Sequence, residues 1–320
     1  GDVPLVIRYF DDPFQTFGIG RSPVNDVYEQ IKNDLIEASK ILPEVPDNKR
    51  LGTAVSGSAK TLLGKVYLTL KDYDNAVKIL KEVIDSQQYT FIQDYTELFD
   101  VDNKNNSESI FEIQYTEAVT DLGSAFANLF APIGSSEVTG GIGATEGNNE
   151  PTQNFYESYN IDDLRRDVSI GQLADGRIYC KKFVKKPVLP NQSNANFVVL
   201  RYTDVLLMYA EALNEISYSS SGDAIKYLNE VRQRAGLQLY TSEQITGQDE
   251  FRNLIWNERR YEFAFENQRW FDLLRSGKAV EVMNKSSNGD FAIEPYQLLF
   301  PIPQNQIDIA PDVMKQNDNY

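Results

Sequence analysis

The sequence predicts a mainly α-helical protein. Tetratricopeptide-like helical hairpins form a scaffold, and a long irregular region with a few short strands wraps it. Three observations predict this class. Apolar residues recur at helical spacing in two separated pairs of segments, residues 56–86 and 204–235. A further helical stretch occupies residues 249–276, whereas residues 87–196 sustain no period at all.

From the start of the chain, residues 1–25 are an irregular entry rich in Pro, Gly and Asp. A helix follows with Asn25-Asp26 as its N-cap and Val27, Ile31, Leu35, Ala38 and Leu42 along one face; Pro43 and Pro46 stop it. The first hairpin joins a helix from about Ser56 to Leu70 with one from about Asp72 to Ser86. Small residues at Gly64 and Ala76 let the two helices approach, while Leu63, Tyr67, Leu80 and Val83 supply apolar contacts. In the second hairpin Ala210 and Leu213 stand where Gly64 and Tyr67 stood, and Ala224, Leu228 and Val231 repeat the spacing of Ala76, Leu80 and Val83. A lone hairpin cannot bury its apolar face, so the chain must return to stack the two copies, or further helices must lie between them. The intervening excursion contains a strand at Ser109–Thr116, with Phe111 and Ile113 on one side of the alternation, and a second strand around Cys180. The chain is expected to form one domain over 1–320.

The stretch from Phe251 to Arg275 places Phe251, Leu254, Tyr261 and Phe265 on one helical face. Glu258 falls in the middle of that face and Glu262 at its edge. A carboxylate facing a core has to be paired and hydrogen-bonded. Arg259, Arg260, Arg269 and Arg275 are the nearest cations in sequence. A structural ion-pair network of Glu258, Arg259, Glu262, Arg269 and Asp272 is therefore expected, with Arg259 and Arg269 as the leading partners of Glu258.

Composition removes whole classes of function. A formal charge of −16 would repel nucleic acid and anionic lipid alike. Histidine is absent, which removes the commonest general base and the commonest metal ligand. Cys180 is the only cysteine, so no disulfide framework and no cysteine zinc site exist within this sequence. No apolar run approaches the roughly 20 residues that span a bilayer. Gly140-Gly141-Ile142-Gly143 lacks the preceding strand and following helix of a phosphate loop. The strongest helical carboxylate pair, Glu258 and Glu262, faces the scaffold core, so no specific acid–base pair for glycoside hydrolysis stands out. Asp100 to Asn106 alternates oxygen donors but lacks the glycine and the closing Glu of a calcium loop, and reads as a polar turn. Neither a metal nor a cofactor is called for.

Binding residues concentrate on loops carried by rigid scaffolds, which points to the excursion. Tyr115, Phe126, Phe130 and Tyr156, with Phe155 and Tyr159, could offer aromatic faces to the apolar C–H faces of sugar rings. Glu146, Asn149 and Asn154, with Asn148 and Gln153, could meet the hydroxyls. A helical-repeat adaptor that binds protein or peptide segments in its groove is the alternative from these residues.

Four ordered motifs resemble one family. Glu258, Arg259, Glu262, Phe265, Glu266, Arg269, Asp272, Leu273 and Arg275 match the signature of the SusD/RagB family of cell-surface nutrient-binding lipoproteins. Arg201-Tyr202, Asp204, Leu206-Leu207 and Ala210-Glu211-Ala212 resemble its long helix, and Asn229, Val231-Arg232, Arg234-Ala235-Gly236 its helix end. Phe300-Pro301-Ile302-Pro303, Gln316-Asn317 and Tyr320 resemble its closing segment. The resemblance implies a non-enzymatic protein on the external face of the outer membrane. It would bind an oligo- or polysaccharide and deliver it to a SusC-like TonB-dependent transporter. Gly1-Asp-Val-Pro-Leu-Val resembles a segment well inside the full-length family, so a preceding portion bearing the lipidated cysteine is expected; Cys180 cannot serve as that anchor.

Overall fold

The computed structural model describes every residue of the chain except Phe17, Asn48, Lys49 and Asn288. In chain order the elements are α1 (Val24–Ile41), α2 (Ser56–Thr69), α3 (Tyr73–Asp85), β1 (Ser109–Ile113), α4 (Phe126–Phe130), α5 (Gln153–Ser158), α6 (Arg165–Ser169), β2 (Ile170–Gln172), β3 (Ile178–Cys180) and β4 (Phe197–Arg201). They continue with α7 (Tyr202–Ile216), α8 (Asp223–Arg234), α9 (Gln248–Glu262), α10 (Arg269–Arg275), α11 (Ala279–Ser286) and α12 (Gln304–Ile309). The fold is mainly helical, with short strands. Among the described residues no helix is long and apolar enough to cross a membrane. The contacts divide the chain into two compact units, Ala38–Arg269 and Gly1–Glu37 with Trp270–Tyr320.

In the larger unit, α2 and α3 form the first hairpin and α7 and α8 the second. Asp72 caps α3, accepting from the Asn75 amide at 3.3 Å, which starts the second helix after a tight reversal at Lys71. Gly64 lies directly against Leu80: a Cβ built there would stand 2.4 Å from Leu80 Cδ2. The small residue sets the spacing of the pair. α7 is apolar on nearly every side because it sits between two cores. Val205, Met208 and Ala212 face a cluster with Leu68, Leu80 and Val83, while Leu207 and Ala210 face another with Leu228, Phe251 and Ile255.

The excursion is closed at its base by β1 and β4, which pair antiparallel. The strand alternates as expected, and the side opposite Phe111 and Ile113 is the buried one. Ile110 and Glu112 face inward, at 5% and 3% exposure, while Ile113 is 45% exposed. Glu112 can face inward because Asn196 Nδ2 donates to its Oε2 at 2.8 Å and the Asn105 amide to its Oε1 at 3.2 Å. β2 and β3 form a hairpin that buries Cys180, and burial pushes that thiol up to about 12.

In the smaller unit α1 begins at Val24, one residue before the expected cap. Asp2 takes the capping part instead, accepting from the Val24 amide at 2.9 Å. Arg21 holds this entry in place by donating to the Asp2 carbonyl at 2.8 Å and the Lys315 carbonyl at 3.0 Å. The closing motif is a clasp. Gln316 Nε2 donates to the Ile302 carbonyl at 3.0 Å, the Ile302 amide donates back to Gln316 Oε1 at 2.8 Å, and Asn317 Nδ2 donates to the Phe300 carbonyl at 2.8 Å.

Candidate functional site

The excursion is fastened to the helices by buried charge. Glu258 on α9 is 2% exposed. It is held by Arg165 Nη1 at 2.6 Å and Arg232 Nη1 at 3.0 Å. Those partners replace the expected Arg259 and Arg269: Arg259 points a helical step away, to Asp204 at 2.8 Å. Glu262 is fully buried among Arg234 at 2.6 Å, Arg201 at 2.7 Å and Arg165 at 3.1 Å. Glu266 accepts from Arg201 Nε and from Lys182 Nζ, both at 2.8 Å. Glu108 accepts from Arg234 Nη1 at 2.5 Å and Thr203 Oγ1 at 2.6 Å. Asp163 holds the outer edge of Arg165, at 2.7 Å and 2.9 Å. Burial alone would raise the Glu262 carboxyl, but the fields of Arg234, Arg201, Arg165 and Lys182 outweigh it and hold it far below the usual range. Asp204 is likewise held low against its own burial by Lys65, at 2.7 Å, and by Arg259.

The helical wheel drawn through Phe265 does not continue in the structure. α9 ends at Glu262 and Phe265 takes a left-handed conformation, φ 65°. That reversal carries Glu266 to Arg201 and Lys182. Beyond it, Asp272 accepts from Arg275 Nη2 at 2.7 Å. Every charge in this group is committed to holding the scaffold together.

The aromatic candidates divide between two places. Phe126 and Phe130 are on α4 with rings stacked at 5.5 Å, and Tyr115 meets Phe126 edge-on at 5.6 Å. Phe126 also touches Phe183 at 5.9 Å and Phe197 at 6.0 Å. With four ring neighbours it serves as a foundation, and Phe130 is the ring laid on top of it. The glycine-rich loop folds back along α4. The Glu146 amide donates to the Asn128 carbonyl at 3.0 Å and the Asn148 amide to the Leu129 carbonyl at 2.7 Å. Asn128, itself 1% exposed, pins that loop through its Nδ2, which donates to the Ile142 and Ala144 carbonyls at 2.8 and 2.9 Å. Glu146, Asn148 and Asn149 are left exposed beside the short helix.

Tyr156 and Asn154 belong instead to α5. Asn154 is exposed, and the Tyr156 ring lies under the Arg166 guanidinium at 5.4 Å. Phe155 and Tyr159 on the same turn pack against Tyr261, at 6.0 and 4.7 Å, and so anchor α5 to α9.

Arg166 leads to a feature that sequence reasoning missed. An open cleft of about 870 Å³ lies between residues 93–96, residues 161–168 and Lys181. Its volume is within the range of about 300–1,000 Å³ usual for small-ligand sites. Its polar lining includes Asp94, Asp162, Asp167, Arg166 and Lys181, and its apolar walls Ile161 and Leu164. No motif marks it, since its walls come from segments far apart in the sequence. The one usable signal is the pair Ile161 and Leu164, bulky aliphatic residues in an otherwise polar turn and exposed at 77% and 62%.

The Asp100–Asn106 segment is a hydrogen-bonded turn. Asp100 Oδ1 accepts from the Asp102 amide at 2.9 Å. Lys104 turns its ammonium to the Tyr115 carbonyl at 2.8 Å and Asn194 Oδ1 at 2.7 Å. Among the described residues no group of His, Cys, Asp or Glu is arranged to hold a metal ion.

Comparison with known proteins places this arrangement. SusD-like protein P2 of Formosa agariphila is 29% identical over 362 residues, covering 100% of this chain and 70% of the relative. A SusD-like protein of Bacteroides ovatus is 29% identical over 289 residues, covering 78% of the chain and 50% of the relative. The solved structure of a laminarin-binding SusD-like protein superimposes with a TM-score of 0.84 at 28% identity, over 100% of this chain and 74% of that one. Surface glycan-binding protein A from Bacteroides thetaiotaomicron, in complex with laminarihexaose, gives a TM-score of 0.81 at 27% identity, over 98% and 73%. The family profile for SusD matches residues 148–320, more than half of the sequence, and includes the α7, α8 and α9 motifs whose charges interlock in the core. The chain belongs to the SusD family.

Proposed function

We propose that this protein captures an oligo- or polysaccharide at the cell surface by binding, without cleaving it, and passes it to a SusC-like TonB-dependent transporter in the outer membrane. The observation that carries the reading is the shelf on α4. Phe130 is stacked on a braced Phe126 with Glu146, Asn148 and Asn149 exposed alongside, so an aromatic face stands next to hydrogen-bonding groups. The names of the structural relatives, one laminarin-binding and one in complex with laminarihexaose, support a glycan as ligand. Attachment to the outer membrane would come through a lipid anchor.

Titration of the chain with laminarihexaose by calorimetry tests the binding step. Saturable binding that weakens about tenfold in Phe130→Ala, the loss of one stacking platform, is the expected result. Heat flow indistinguishable from dilution across a panel of neutral and charged oligosaccharides would overturn the reading. Delivery is tested by co-purification with the transporter from an outer-membrane extract.

A further inference from the structure

We infer that the cleft between residues 93–96 and residues 161–168 is a second contact site for the glycan, and that its surplus of carboxylates favours neutral or basic, hydroxyl-rich sugars over acidic ones. The inference rests on the glycan reading above and adds to it a place and a chemical class.

Four carboxylates, Asp94, Asp162, Asp163 and Asp167, line the cleft with three cations, Arg166, Lys181 and Arg234, and Asp163 is bound to Arg165. The cations are already engaged. Arg166 Nε donates to Asp167 Oδ1 at 2.9 Å, and Lys181 Nζ donates to the Asp167 carbonyl at 2.9 Å. Deeper in the wall Arg234 is committed to Glu108 and Glu262, at 2.5 and 2.6 Å. The Asp162 carboxylate, in contrast, is exposed and makes no hydrogen bond or ion pair with the described residues. Asp94 caps its own turn through Thr96, whose hydroxyl and amide donors hold the carboxyl below its usual range, so it stays an anion. The cleft therefore offers more carboxylates than cations, with Asp162 as the acceptor left without a partner among the described residues. Sugar hydroxyls are donors that such carboxylates can accept from, and Ile161 and Leu164 supply aliphatic area for the C–H faces of the rings. A uronate or sulfate ester brought to the same place would meet like charge in a chain whose net charge is −16. Tyr156, lying under Arg166, sets an aromatic ring close to the cleft and joins it to α5.

The test compares laminarihexaose, a hexamer of β-linked uronate and a hexamer of glucosamine, titrated into the intact chain, Asp162→Lys and Phe130→Ala. Asp162→Lys removes an acceptor without breaking a bond of the fold, and an unchanged melting temperature confirms that. Wild type should bind the neutral hexamer at least about tenfold more tightly than the uronate, as expected when a charged hydrogen-bond partner is replaced by repulsion. Asp162→Lys should weaken the neutral hexamer and narrow the gap to the uronate. Equal wild-type affinity for neutral and uronate hexamers, or tighter binding of the uronate than of glucosamine, overturns the charge selection. Full neutral-hexamer affinity in Asp162→Lys together with its loss in Phe130→Ala overturns the cleft while leaving glycan binding intact. Failure of all three oligosaccharides to bind wild type overturns both readings together.

Discussion

Arg165 donates to Glu258 at 2.6 Å across 93 residues of sequence, with the arginine side chain wholly sealed from solvent. The pair welds the turn that shapes the cleft to the helix that carries the family signature. Removing either partner leaves a buried charge unmatched, which is far costlier than losing an exposed pair.

We predict that Glu258→Ala destabilises the protein by about 3–5 kcal/mol. The exposed pair Lys278 and Glu281, 3.0 Å apart, should by contrast contribute at most about 1 kcal/mol. Urea denaturation of both variants checks the contrast. Similar midpoints for the two would mean that the buried pair is worth no more than a surface one.

Acid should unfold the protein through Glu262 and Asp204. Both carboxyls are held below their ordinary values of 4.5 and 3.8 in the folded state. A depressed folded value means the stabilisation is complete above the unfolded value and disappears as pH falls through the folded one. Stability should thus change little between pH 7 and about pH 5 on account of these groups and decline steadily below about pH 4.5. Glu262→Gln should be less stable at neutral pH and show a shallower decline in acid. A pH profile of melting temperature that is as steep in Glu262→Gln as in wild type would remove Glu262 from this account.

Gly64→Ala sets two effects against each other. Alanine favours a helix over glycine by about 1 kcal/mol. The new Cβ would stand 2.4 Å from Leu80 Cδ2, and Leu80 is completely buried. Overpacking of this kind costs about 1–3 kcal/mol, so net destabilisation is expected. A variant with a raised melting temperature would show that the α2–α3 contact can open at no cost.

Phe126 and Phe130 should separate stability from binding. Phe126→Ala removes a ring with four ring neighbours and should cost about 1.5–3 kcal/mol of stability. Phe130→Ala should leave the melting temperature closer to wild type and act mainly on laminarihexaose affinity. The reverse pattern would assign the binding platform to Phe126.

Helical spacing made much of the scaffold legible, since it is local. Gly64, Ala76, Ala210 and Ala224 marked the close approaches, and a single wheel placed Glu258 inside. The partners of Glu258 were not legible, because nothing near α9 indicates that Arg165 and Arg232 return to it. Glu112 shows a second limit: its inward orientation depends on Asn196, at the far end of the excursion. On α4 the aromatic residues were visible as residue types, but which ring braces and which is left outermost emerged only once Phe183 and Phe197 were placed beside Phe126. The cleft had no local signature because it is assembled from segments far apart in the sequence.

The buried charge network also imposes an order on biogenesis. Arg165, Lys182, Arg201, Arg232 and Arg234 emerge from the ribosome well before Glu258, Glu262 and Glu266, the carboxylates they converge on. Until α9 is translated, these cations lack the glutamates that neutralise them in the core and stay in water. A product truncated before α9 should consequently be an unfolded chain open to proteolysis. Completion of the fold is in this sense written into the position of three glutamates.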